Sequence, residues 1–110
     1  MAFDDGLAAR IADVLCEEVG LESRKMFGGI AFMLDRHMCC GVVGSDLMLR
    51  VGPEAYDDAL REPHARPMDF TGKPLRGMIY VAAEGIAEEP ELAAWIARGV
   101  QFVRSLPPKK

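Results

Sequence analysis

His37, Cys39 and Cys40 lie within a stretch of four residues, and they are the first side chains to weigh for chemistry. Imidazole and thiolate are zinc donors, but a closed zinc site takes four ligands. Side chains alternate along an extended strand, so His37 and Cys39 are expected on one face and Cys40 on the other. His64 and Asp69 are the residues a nearby loop could add, and no C-x-x-C completes the set. A nucleophilic cysteine needs a lowered pKa, exposure and a base within reach. The apolar surroundings of Cys39 and Cys40 offer the opposite, since burial raises a thiol pKa. Both are therefore expected to be small buried hydrophobes, with His37 a turn residue. The alternative is a small-ligand or metal-binding domain that uses His37, Cys39 and His64, with residues 63–77 as a lid.

The carboxylates point the same way. Asp57-Asp58 and Glu88-Glu89 fall at helix starts or on helix surfaces, where acidic residues complement the macrodipole. Gly28-Gly29 is not a phosphate loop, because neither G-x-x-x-x-G-K-[ST] nor G-x-G-x-x-G is present. No catalytic residue, cofactor or metal is assigned, and the chain is not expected to be an enzyme.

The elements that would carry these residues follow from apolar periodicity. Leu7, Ile11, Val14, Leu15 and Val19 recur at helical spacing and predict a helix over 4–19, with Asp4 as N-cap and Gly20 as its stop. Residues 22–51 switch to short apolar runs between turns, the pattern of an antiparallel meander. Pro53 opens a second helix running to Leu60 or Arg61. Residues 63–77 hold three prolines and two glycines and read as a loop, with a short strand at 67–70. Met78–Val81 is a further strand. Pro90 opens the last helix, whose stripe is Leu92, Trp95, Ile96, Gly99, Val103 and Leu106. Gly99 is costly inside a helix, so a close approach to another element is its expected reason. The prediction is an α+β domain: a two-layer fold of about five antiparallel strands and three helices, in the order α-β-β-β-α-β-β-α, forming one domain over 1–110.

Composition narrows the class. Half of the 110 residues are apolar, which excludes disorder as the dominant state. The net charge of −4, with scattered basic residues, argues against direct nucleic-acid binding. No apolar run approaches a membrane span, and the acidic N-terminus does not fit a signal peptide. Three cysteines, two of them adjacent, suit a reduced cytoplasmic protein better than a disulfide framework. The strands around residues 30–34 and 38–43 are apolar on both faces, where a half-solvated sheet would alternate. Methionines concentrate there, and methionine suits adaptable contact surfaces. The expected function is a regulatory or protein-interaction module, with a protein partner or a second copy in a homodimer covering one sheet face. Its candidate contact residues are Arg24, Lys25, Met33, Met48, Arg50, Arg66, Met68 and Phe70.

Several blocks carry a resemblance to a known family. These are Arg24-Lys25-Met26-Phe27-Gly28-Gly29-Ile30-Ala31-Phe32-Met33, Met38-Cys39-Cys40-Gly41-Val42 and Leu49-Arg50-Val51-Gly52-Pro53-Glu54-Ala55-Tyr56. The run from Glu62 to Gly77 and the closing Leu92–Ile96 and Phe102–Pro107 segments join them. In order and spacing they resemble the TfoX/Sxy N-terminal-domain family. The resemblance implies helices on an antiparallel sheet, like that of secretion chaperones. It also implies kinship with bacterial regulators of natural competence, whose full-length members carry a further C-terminal domain. It supplies no catalytic residues. The glycines and prolines of its motifs read as structural, because they set backbone geometry.

Overall fold

A computed structural model describes residues 4–26, 29–68 and 76–107. The elements run α1 (Asp5–Leu15), β1 (Leu21–Met26), β2 (Gly29–Leu34), β3 (His37–Val43), β4 (Asp46–Arg50), α2 (Tyr56–Leu60), β5 (Ala65–Pro67), β6 (Met78–Val81) and α3 (Glu89–Arg104). The six strands form one antiparallel sheet in the order β1-β2-β3-β4-β6-β5. The α+β prediction holds, with one strand more than the five expected. Four strands precede α2.

Local chemistry explains the element ends. Asp4 caps α1 by accepting from the Leu7 N–H at 3.1 Å, as its residue type predicts. α1 ends at Leu15 rather than at 19, and Val19, expected on its buried stripe, is 75% exposed. β2 and β3 are joined by Asp35 and Arg36, both at positive φ, the pattern of a two-residue type I′ hairpin. α2 starts at Tyr56, so Pro53 opens a turn instead of the helix. The short strand expected at 67–70 lies at Ala65–Pro67, and Phe70 falls outside the described residues, as does Asp69. At the last helix Glu88 and Glu91 form a reciprocal capping box around Pro90.

The helices pack on one face of the sheet. Ile11 and Leu15 of α1, Tyr56 and Ala59 of α2, and Leu92 and Ile96 of α3 share a core with Phe32, Val42, Leu49 and Ile79 of the strands. At Gly99, α3 lies close against the sheet. A Cβ there would lie 2.8 Å from Leu49 Cδ1 and 3.2 Å from the Cys39 carbonyl. The expected reason for that glycine is therefore the observed one.

The opposite face holds a second apolar cluster of Ala31, Met33, Met48, Met68, Met78 and Tyr80. No residue of the three helices belongs to it. These side chains are nevertheless buried within a single chain: Met48 is 1% and Met68 2% exposed, and Met33 is the most open at 9%. The premise of an uncovered second face is thus corrected. Met33, Met48 and Met68 are buried within this chain.

Candidate functional site

β3 carries the thiols in an arrangement that strand alternation does not give. Phe32 pairs with Cys40 and Met33 with Met38, which leaves Cys39 as an extra residue in a β-bulge. Cys39 and Cys40 consequently both enter the core beneath the helices, so the expectation that Cys40 points away from Cys39 is corrected. Both are fully buried. The Cys40 thiol is pushed well above its ordinary value by its hydrogen bond with Cys39 and then by burial. That same bond draws Cys39 downward against its own desolvation, so Cys39 would be the first of the pair to ionise. Its sulfur faces the Gly99 backbone of α3, not solvent.

His37 is buried as the first residue of β3, and its Nε2–H donates to the Pro107 carbonyl at 2.8 Å. His64 sits at positive φ just before β5, beside Gly85. β3 and β5 are three strands apart in the sheet and run in opposite directions, so the two histidines lie at opposite ends of it. At about 4.8 Å per strand they are separated by well over 10 Å. The structure does not bring His37, Cys39 and His64 together. Among the described residues no group of three or more His, Cys, Asp or Glu is placed to hold a metal.

The thiols give a direct check. Cys16 is exposed, whereas Cys39 and Cys40 are buried. Thiol titration of the native protein with a disulfide reagent is expected to find one reactive cysteine, and three after unfolding in guanidinium. Fast native reaction of a second thiol would contradict the burial.

The arginines are more informative. Arg10, Arg24, Arg61, Arg66, Arg76 and Arg104 each pair with a carboxylate. Arg66 joins Asp46 and covers the Tyr80 ring, so this candidate contact residue is engaged within its own chain. Arg24 and Lys25 are exposed on β1. Arg50 and Arg98 differ from these. Arg50 lies over the Phe102 ring at 5.3 Å and Arg98 over the Trp95 ring at 4.8 Å, and among the described residues neither reaches a carboxylate.

Arg98 and Phe102, the ring on which Arg50 stacks, line a cleft of about 480 Å³ between α3 and the segment after β4. Its walls include Gly52, Pro53, Glu54 and Ala55 on one side and Arg98, Gln101, Phe102 and Ser105 on the other. Arg98 also lines a neighbouring cleft of about 520 Å³ with His64, Glu62, Glu91 and Trp95. Local backbone builds the first cleft. The Val51 and Gly52 N–H groups both donate to the Gly77 carbonyl, at 2.8 and 3.1 Å. Gly52 then turns at φ 88, and the Phe102 ring occupies the space a Cβ would need. Arg98 and Phe102 are four apart on α3 and therefore neighbours on its surface.

None of the sequence candidates lines this cleft, and Arg50 meets it only through the Phe102 ring on which it stacks. Arg98, Phe102, Gln101 and Ser105 were missed, although Arg98 and Phe102, three and seven residues after the buried Trp95, border the buried stripe of α3. Arginine and tryptophan are enriched at binding hot spots, and an arginine held on an aromatic face loses less freedom on binding. The cleft can receive an anionic or hydrogen-bonding group beside the Arg98 guanidinium. It offers no positioned nucleophile and no acid–base pair among the described residues.

The fold and this cleft define a small α+β domain with helices on one side of an antiparallel sheet and a cation-bordered groove beside its last helix. The family model described as TfoX N-terminal domain matches residues 7–103, nearly the whole chain, and the chain belongs to that family. Comparison with curated proteins and with solved structures returns no match. Among the described residues, no helix is long and apolar enough to cross a membrane.

Proposed function

We propose that this domain is a non-enzymatic regulatory or protein-interaction module that takes an acidic segment of a partner protein into the cleft lined by Arg98 and by Phe102, the ring on which Arg50 stacks. The observation that carries this reading is the pair of arginines stacked on aromatic rings, neither with a carboxylate partner among the described residues: Arg98 lines the cleft and Arg50 stacks on its Phe102 wall, and Glu54 is the one acidic residue in the described lining. A half-buried guanidinium is solvated by water and remains available to a carboxylate, and bidentate carboxylate recognition is what arginine geometry suits. Family membership supports a regulatory setting, and three free cysteines suit a reducing cytoplasm.

Trp95 is the only tryptophan in the chain and lies under Arg98, so its emission reports on the site. Titration with a short oligoglutamate peptide is expected to give a saturable change in that emission, weakening as salt rises and screening shortens. Arg50→Gln, which leaves the Arg98–Trp95 stack in place, should weaken binding by about tenfold, the equivalent of one lost charge-assisted hydrogen bond. A flat titration up to about 1 mM peptide at low salt, where binding would be worth only about 4 kcal/mol, would remove this reading.

A further inference from the structure

The two edges of the sheet are finished differently. β5 is three residues long and ends in Pro67, which has no N–H to offer a further strand. β1 has six residues without proline or glycine, and Glu22, Ser23, Arg24 and Lys25 are all exposed. Among the described residues, no backbone group from outside the sheet bonds to β1. An open edge of this kind presents a row of N–H and C=O groups that can template another strand unless something blocks it. Charge is a common block. Here, however, the charges are of both signs, and their order decides the outcome.

We infer that β1 pairs antiparallel with β1 of a second copy, about a two-fold axis that passes through Ser23. Directly opposed residues in an antiparallel pair point to the same face, so a two-fold normal to the sheet must place some residue opposite itself. With Ser23 on the axis, Glu22 of each copy faces Arg24 of the other, and Leu21 faces Lys25. Glu22 and Arg24 already share a face within one strand, 3.7 Å apart. Four charges then alternate in sign around the axis. Moving the axis to Glu22 opposes two glutamates, and moving it to Arg24 opposes two arginines. Like charges directly opposite one another are destabilising, so one symmetric register is selected. The two sheets join into one, and the buried methionine face is not needed for the contact. This surface shares no residue with the Arg98 cleft and stands or falls independently of it.

Light scattering over a concentration series tests the pairing. The wild-type mass is expected to climb from 12.1 kDa toward twice that value. Glu22→Arg and Arg24→Glu should each hold the mass at 12.1 kDa over the same range, because each strand then carries charges of one sign there. An equimolar mixture of the two variants should recover the doubled mass, since each supplies the charges the other lacks. Recovery would also show that both variants are folded. A wild type that stays at 12.1 kDa throughout, a dimer that either variant leaves intact, or a mixture that fails to recover would each overturn the inference.

Discussion

Replacing Met48 with alanine is expected to lower the stability of the isolated domain by about 2–5 kcal/mol, the usual cost of truncating a buried methionine. Met48 sits on β4, 1% exposed, among Ala31, Met33, Met68, Met78 and Tyr80 on the sheet face that no helix covers. Its methyl group lies against the space above Gly41, where a Cβ would come within 2.8 Å of it. Glycine at 41 and methionine at 48 therefore form a matched pair across β3 and β4. Truncation would leave a cavity that the central strands of a six-stranded sheet cannot close. Urea unfolding of the purified protein should show a lower midpoint with an unchanged slope. A face that is apolar only to meet another protein would behave otherwise. Truncation there would change stability by less than about 0.5 kcal/mol, as for an ordinary surface substitution. The experiment thus separates a second core from a binding face.

Gly99→Leu is expected to cost about 3 kcal/mol, at the upper end for overpacking a core. The atoms in the way are Leu49 Cδ1 at 2.8 Å and the carbonyl and sulfur of Cys39, both at 3.2 Å, from a Cβ at position 99. Leu49 and Cys39 are fully buried, so neither has free space to enter. The Cys39 carbonyl belongs to the bulged strand and cannot move without disturbing the pairing with β2. Gly99→Ala is the graded control. Alanine gains about 1 kcal/mol of helix propensity, and the clash with a single methyl offsets that gain. Thermal unfolding should rank the variants glycine, alanine, leucine, with a small first step and a large second one. Leucine as stable as glycine would mean that α3 does not lie where the sheet places it.

Much of this was legible in the residues. Asp4 as a cap, Pro90 at the start of α3 and Gly99 as a contact point each follow from one residue type at one position, and each is found. What was not legible depends on pairing decided at a distance. Alternation would separate Cys39 from Cys40, but the bulge opposite Phe32 and Met33 turns both into the helical core. Nothing in the local sequence distinguishes that bulge from a regular strand. The apolar residues on both sides of β2 and β3 were visible, yet whether a second face is closed within the chain is a tertiary property. Val19 continues the helical spacing of α1, but the helix has already ended, and a matching period does not extend it. Pro53 suits the first turn of a helix and a β-turn equally well. The cleft was only partly visible. Arg50 stood out in its motif, whereas its counterparts Arg98 and Phe102 flank the buried stripe of α3 and become a site only when the chain turns at Gly52 to face them.

Docking of an acidic segment beside Arg98, against the Phe102 ring that Arg50 covers, has a direct spectroscopic signature. Mapping oligoglutamate binding by ¹⁵N–¹H NMR, with the arginine Nε–H resonances included, tests it most directly. The expected result is that shifts are confined to Arg50, Arg98, the backbone amides of 101–105 and Gly52, and grow to saturation together. Shifts that gather instead at the other basic residues, or spread without saturating, would contradict a built site and leave only general attraction between opposite charges.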